Sequence, residues 1–219
     1  MKSEWIDISV SLRTGMVHWP NDPPVCIEQV SDMSCGDKAN LSKMDMSVHS
    51  GTHVDAPLHF IRDGKSVDAV PFDALIGKTR VIEIAERESI SVKALAANRI
   101  LRGERILFKT RNSEQKWAEK EFMPHFVYLS TEAAGYLAEL GVKTVGVDYL
   151  SVSGYGRNEV EVHQKLLEAD IWVIEGLYLG GVNPGNYHMI CLPLNIYNGE
   201  GAPARAILKP IPETGKEPC

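Results

Sequence analysis

The chain has 219 residues, 44% hydrophobic and 24% charged, with 18 Gly and 12 Pro. That is enough to bury a full core, and one domain over residues 1–219 is expected. The formal net charge is −6, and the 23 Lys and Arg are scattered rather than clustered, which argues against nucleic acid or an anionic membrane surface as a main partner.

No stretch approaches the ~18 apolar residues of a membrane span. The opening MKSEWIDISVSL lacks the apolar run of a signal peptide. Cys26, Cys35, Cys191 and Cys219 form no CxxC pair and no zinc-finger spacing. Together these features predict a cytoplasmic protein with reduced thiols.

Short apolar runs bounded by Gly, Pro, Asn and Asp predict strands in chain order at 5–9, 41–48, 80–84 and 105–109. Further strands are expected at 126–129, 144–147, 171–175, 187–192 and 204–209, with helices at 91–98, 131–140 and 158–169. Thr131 offers an N-cap for the second helix, and Gly141 stands where a helix prefers a left-handed residue. The run 126–129, helix 131–140 and run 144–147 have the length of a βαβ crossover, so some parallel pairing is expected. The predicted class is α/β, a mixed sheet with few helices. Residues 114–123 are polar and irregular and read as a surface excursion.

One stretch carries chemistry. In the predicted strand 41–48, Ser42, Met44, Met46 and Val48 share one face, which is expected to pack on the core. His49 continues the other, polar face. Then His49, His53 and Asp55 follow at spacing H-x3-H-x-D, and three of the seven histidines fall between 49 and 59. A helix cannot gather them, because i+6 lies off the face shared by i and i+4, and Gly51, Thr52, Val54 and Pro57 are poor helix choices. A straight strand would separate His49 from Asp55 by roughly 20 Å. The chain must therefore turn back between them, and Gly51 permits it. Mixed imidazole and carboxylate donors suit Zn²⁺ or Mn²⁺ better than Ca²⁺ or Mg²⁺.

A second pair lies further on. Glu175 interrupts the apolar run Ile171-Trp-Val-Ile-Glu-Gly-Leu, where a buried carboxylate is costly unless paired or metal-bound. Glu175 reads either as such a group or as an exposed strand end. His163, on the predicted helix 158–169, reads either as an ordinary surface histidine or as a further ligand. Asp148 ends an apolar strand, as a structural residue or one that orients a ligand.

The segment HSGTHVDAPLHF, residues 49–60, matches the signature H-x-G-T-H-x-D-x-P-x-H-F. With Asp7-Ile-Ser, Trp19-Pro20, Thr144-Val-Gly-Val-Asp148, Val162-His163-Gln164 and Ala202-Pro203-Ala204-Arg205-Ala206, nearly the whole chain resembles the cyclase-like metal hydrolases. That group includes bacterial kynurenine formamidases and isatin hydrolases. The resemblance implies a swivelling β/β/α architecture and a homodimer or larger assembly. It implies that His49, His53 and Asp55 bind one divalent ion, Zn²⁺ foremost with Mn²⁺ as alternative. Asp55 would bridge to a second ion held by His163 and Glu175, giving one or two ions per subunit. His59 would be the catalytic acid/base, and Trp19 would line the substrate pocket, although beside Pro20 it also reads as a core tryptophan.

The implied activity is hydrolysis of a C–N amide bond in a small-molecule substrate by metal-activated water, foremost an N-formylkynurenine-like arylformamide of tryptophan catabolism. Rival readings are a cyclic-amide (isatin-type) hydrolase, a metal-dependent lyase or cyclase, and a non-catalytic metal-binding protein. One departure bears on the substrate. Where kynurenine formamidases tend to carry Pro-Ser-Val-Asp after the match to Asp148, this chain has Tyr149-Leu-Ser-Val-Ser-Gly-Tyr-Gly156, a loop expected near the site.

Overall fold

The computed structural model of the protein describes residues 5–212, so Cys219 lies outside the described residues. In chain order the first half holds β1 (Ile6–Asp7), β2 (Cys26–Ser31), β3 (Leu41–Asp45), β4 (His53–Asp55), α1 (Phe72–Leu75), β5 (Ile76–Glu83), β6 (Ser89–Ile90) and α2 (Val92–Ala97). There follow β7 (Arg105–Lys109), β8 (Tyr128–Leu129), α3 (Thr131–Leu140), β9 (Thr144–Val147), α4 (Glu159–Glu168), β10 (Trp172–Glu175), β11 (Gly185–Pro193) and β12 (Gly201–Pro210). Among the described residues no helix is long and apolar enough to cross a membrane.

Eight strands pair in the order β1-β12-β11-β5-β7-β9-β10-β4, and β4 also pairs with β12. The seven strands from β12 round to β4 thus close on themselves as a barrel, which leaves no open edge among them. Pairing is parallel along β5, β7, β9 and β10 and antiparallel elsewhere in this sheet. This is the mixed-sheet α/β fold with few helices that the sequence predicts.

Strand alternation divides the apolar residues between two cores. Val54, Val81, Leu107, Ile174, Met189 and Leu208 fill the barrel. Their neighbours Ile82, Ile106, Phe108 and Val173 point outward and pack on Leu95, Ala133, Leu137 and Leu166 of α2, α3 and α4. Inside the barrel Gly146 is a packing requirement, since a Cβ there would stand 2.4 Å from Leu107 Cδ2. A third cluster, around Trp117, Phe126 and Tyr149, underlies the loops beside the site.

Several expectations are corrected. The helix α3 has its predicted bounds, but Ser130 rather than Thr131 is its N-cap, because Ser130 is extended and its side chain accepts from Ala133 N. Gly141 does close it in the left-handed region, at φ 68°. The run 126–129 does not pair with β9. Its end, β8, forms a small parallel sheet with β6, while β9 lies between β7 and β10. The reason is packing: Phe126 is drawn into the cluster beneath the loops, and β7 carries the apolar run that fits beside β9.

The strand predicted at 41–48 stops at Asp45 and pairs with β2 in a two-stranded sheet. Within β3 its expected core face is not buried: Met44 is 49% exposed and Ser42 is exposed too. Alternation identifies a two-faced strand but does not say what either face meets. The polar excursion 114–123 is anchored by Trp117, which is buried and donates its indole N–H to Leu177 O at 3.0 Å.

Candidate metal centre

β4 lies antiparallel to β10, with His53 opposite Glu175, Val54 opposite Ile174 and Asp55 opposite Val173. Since Val54 and Ile174 fill the barrel, alternation turns His53, Asp55 and Glu175 to the outer side, where α4 packs. On α4 the buried positions Val162, His163, Leu166 and Leu167 form one face at helical spacing. His163 thereby meets the strand carboxylates, with Nε2 3.3 Å from Glu175 Oε1 and 3.8 Å from Asp55 Oδ2.

His49 reaches the same place by the predicted turn. Gly51 has φ 63°, a left-handed conformation that suits glycine. The chain folds back there, so His49 Nδ1 lies 2.9 Å from Asp55 Oδ1. A second glycine completes the arrangement. Gly176 has φ 70°, and a Cβ on it would stand 1.9 Å from Gly51 O. This close approach, fixed by Thr52 Oγ1 donating to Gly176 O at 2.6 Å, sets Glu175 beside the histidine turn. The six predicted residues His49, His53, Asp55, His59, His163 and Glu175 are therefore brought together. Neither Glu175 nor His163 is at the surface: the first is 4% exposed and the second 3%.

The hydrogen bonds fix which nitrogen faces the centre. His53 Nδ1 lies 3.0 Å from Gly51 O, and His163 Nδ1 lies 2.7 Å from Glu159 O. A carbonyl oxygen only accepts, so both Nδ1 atoms carry hydrogen and donate. In the neutral rings each Nε2 then presents a lone pair to the carboxylates. His53 Nε2 lies 3.3 Å from Asp55 Oδ1 and 3.4 Å from Glu175 Oε2. A lone pair facing a carboxylate oxygen at that distance is repulsive unless a proton or metal ion stands between them.

The titration tendencies say the same. Burial acts to lower His53, but the Asp55 and Glu175 carboxylates beside it outweigh burial and raise it to about 10. For His163 burial again opposes, and Glu175 with Asp55 produces a net rise. Burial pushes Asp55 up, but the hydrogen bond with His49 and the nearby His53 ring hold it well below the usual range. Glu175, raised by burial and by the Asp55 charge, ends below its ordinary value through His163 and His53. The centre collects positive charge.

These residues fit a divalent metal. His49 Nε2, His53 Nε2 and Asp55 Oδ2 are buried without a hydrogen-bond partner, a costly arrangement in a native fold unless another group meets them. The donor atoms form two triads, His49–Asp55–His59 and His53–Asp55–Glu175, each within 4.8 Å and with Asp55 in common. Imidazole and carboxylate donors of this kind suit Zn²⁺ or Mn²⁺.

His59 differs from its neighbours. It sits on a single 3-10 turn, Pro57–His59, and its ring stacks on His49 at a centroid distance of 4.0 Å. Burial lowers its pKa to about 4, although Asp55 acts to raise it. The ring is therefore neutral at pH 7. Phe60, the next residue, stacks on His163 at 4.3 Å and 16° and holds that ring's plane.

Over the centre lies a cavity of about 210 Å³ whose walls include Trp19, His49, His59, Leu150, Ser151 and Glu200. Trp19 packs edge-on against Phe122, Phe126 and Tyr155, so it is half core residue and half cavity wall. The loop 149–156 is indeed adjacent. Leu150 and Ser151 line the cavity, and Val152 N donates to Glu175 Oε1 at 2.7 Å. Asp148 does not face the centre. It is buried and accepts from Thr110 N and Thr110 Oγ1 at 2.7 and 2.8 Å, which ties β9 to the loop after β7. Sequence reasoning passed over Glu200, whose Oε1 lies 3.9 Å from His49 Nε2. Its one signal is the flanking pair Gly199 and Gly201: a Cβ on Gly201 would meet the His49 ring at 2.7 Å.

Residues 6–153 match a family described as putative cyclase. The kynurenine formamidase of Bacillus cereus is 35% identical over 209 residues, spanning 95% of this chain and 99% of that protein. A solved structure described as a potential metal-dependent hydrolase with cyclase activity is similar with a TM-score of 0.83 at 30% identity, covering 95% of this chain and 98% of the other. Isatin hydrolase A from Labrenzia aggregata shares the fold, with a TM-score of 0.81 at 24% identity over 93% and 92% of the two chains. The family match spans more than half of the chain and the formamidase likeness nearly all of it, and the chain belongs to the cyclase family.

Proposed function

We propose that the chain is a metal-dependent hydrolase of C–N amide bonds, acting on an arylformamide of the N-formylkynurenine type. The observation that carries this reading is the convergence of His49, His53, Asp55, His163 and Glu175, with buried donor atoms that lack partners. These residues would hold one or two divalent ions, Zn²⁺ foremost and Mn²⁺ second. When bound, such an ion supplies Lewis acidity, which polarises an amide carbonyl and acidifies water at neutral pH.

The protein's own residues do the rest. His53 and His163 keep their Nε2 atoms toward the centre because their Nδ1 hydrogens are engaged by Gly51 O and Glu159 O. His59, neutral at pH 7, accepts a proton from the attacking water. It returns that proton to the leaving nitrogen as the C–N bond breaks, releasing an amine and a carboxylate. Trp19 and the aromatic side chains around it provide a flat wall for an aryl group. The likeness to kynurenine formamidase supports the arylformamide over other amides.

We read residues 1–219 as one domain of a homodimer or larger assembly. The described cysteines, Cys26, Cys35 and Cys191, are unpaired, which suits a reducing compartment such as the cytoplasm. The test is turnover of N-formylkynurenine with product analysis, before and after chelation and with Zn²⁺ or Mn²⁺ restored. Release of formate with uptake of one water supports a hydrolase. A product formed without water would replace it with a lyase or cyclase, and metal binding without any turnover would leave a binding protein.

A further inference from the structure

The loop after β9 is pinned on both sides of Ser151. Gly176 N donates to Tyr149 O at 2.7 Å, Val152 N donates to Glu175 Oε1 at 2.7 Å, and Val152 O accepts from Leu129 N at 2.8 Å. Tyr149, Leu150 and Val152 are buried. Ser151 is thereby held in the lining of the cavity over the centre. Neither the metal donors nor His59 bond to its hydroxyl.

Counting donors and acceptors decides what that hydroxyl can do. A hydroxyl has one hydrogen to give and two lone pairs with which to accept. Ser151 Oγ lies 3.0 Å from Ser153 Oγ and accepts from Ser153 N at 3.2 Å. Ser153 is fully buried, and among the described residues its Oγ has no partner but Ser151 Oγ. If Ser151 donated to Ser153, the Ser153 hydrogen would be orphaned inside the protein, which is costly. The hydrogen therefore runs the other way, from Ser153 Oγ to Ser151 Oγ. Both lone pairs of Ser151 are then taken, and its own hydrogen has no acceptor among the described residues. Towards the cavity Ser151 is a donor and not an acceptor.

We propose that Ser151 determines specificity by donating a hydrogen bond to a carbonyl oxygen of the substrate other than that of the scissile amide, with Ser153 as the positioning residue that orients it. This rests on the hydrolase reading above, in which the ion polarises the scissile carbonyl. The donor on the cavity wall is then left for a second acceptor, and an arylformamide of the N-formylkynurenine type carries a ketone ortho to its formamido group. Ser151 thereby favours an ortho acyl substituent over an alkyl group of similar shape, since the alkyl compound leaves a buried donor unpaired.

The experiment compares kcat/KM of the Zn²⁺-loaded protein for 2-acetylformanilide and 2-ethylformanilide, which differ by the ketone oxygen. Because the two rings differ in electronics, the quantity read is the change in the acetyl-to-ethyl ratio between wild type and Ser151→Ala. That ratio is expected to fall about three- to tenfold in the variant, with metal content and melting temperature unchanged. An unchanged ratio overturns the proposal and leaves the hydrolase standing; if both compounds slow equally, the donor serves the scissile amide instead. If wild type turns over neither compound, the hydrolase reading fails, and the donor is tested by NMR titration of the Zn²⁺-loaded wild type with 2-aminoacetophenone and 2-ethylaniline. The same titration decides the matter if Ser151→Ala does not fold. Ketone binding at least about threefold tighter, with the Ser151 amide signal shifted, supports the proposal. Equal or reversed affinity, or an unmoved Ser151 signal, overturns it.

Discussion

His59 and Glu175 carry opposite assignments within one small volume, and each can be tested alone. His59 is read as the proton carrier, neutral because burial holds it near 4. Replacing it with Ala should lower turnover by about 10²–10⁴-fold while metal content stays unchanged. Since His59 also lies within 4.8 Å of donor atoms on His49 and Asp55, loss of metal from His59→Ala would make it a ligand instead. Glu175→Gln keeps the side chain's size but removes its charge. It should reduce metal affinity at least about tenfold, as measured by competition with a chromophoric chelator, because a buried carboxylate is replaced by a weaker neutral donor. Unchanged affinity would remove Glu175 from the ligand set.

The legibility of the site differs between these residues for a physical reason. His49, His53 and Asp55 were readable because a single turn at Gly51 joins them. His163 and Glu175 come from elements that the sequence places on a helix and a strand, but their meeting with β4 depends on a pairing between His53 and Glu175 across more than a hundred residues. Nothing local announces it. The same holds for Glu159, which contributes a backbone carbonyl to His163, an interaction open to any residue type.

Among the elements, the turn at Gly51 and the strand end at Gly176 carry the geometry. Gly176→Ala would set a Cβ 1.9 Å from Gly51 O at a positive φ. It should destabilise the fold in urea by clearly more than Gly15→Ala. Gly15 has a similar φ of 76° but open space around it, so its substitution should incur only the left-handed penalty of about 1–2 kcal/mol. Equal effects at both positions would mean that the Gly51–Gly176 approach is not needed. The elements themselves were unevenly legible. β7, β9 and α3 have the predicted bounds because each is a clean apolar run or a well-capped helix. β4 was missed since three residues give no periodicity. β2 was missed since it is exposed along its length and bulged between Gln29 and Ser31.

At the scale of the whole molecule, a closed barrel packed on both sides should exclude reagents from its interior. Cys191 lies inside it, fully buried, with its thiol pushed up to about 12 by burial. It should resist a thiol reagent in the native state, whereas exposed Cys26 and Cys35 react. Labelling followed by mass spectrometry checks this, and rapid native modification of Cys191 would contradict the packing described. Barrel closure itself was not legible, because it rests on β4 pairing with both β10 and β12. The metal should also be coupled to stability. If the carboxylates and histidines of β4, β10 and α4 share an ion, saturating metal at ~100 times Kd adds about 2.7 kcal/mol to unfolding, visible as a raised melting temperature.

N-formylkynurenine turnover by the purified protein, followed through chelation and metal return, decides whether the chain is a metal-dependent arylformamidase. Activity is expected to disappear on chelation, to return with Zn²⁺ or Mn²⁺, and to yield formate and kynurenine in equal amounts. Full activity in protein shown to be free of metal would contradict that expectation.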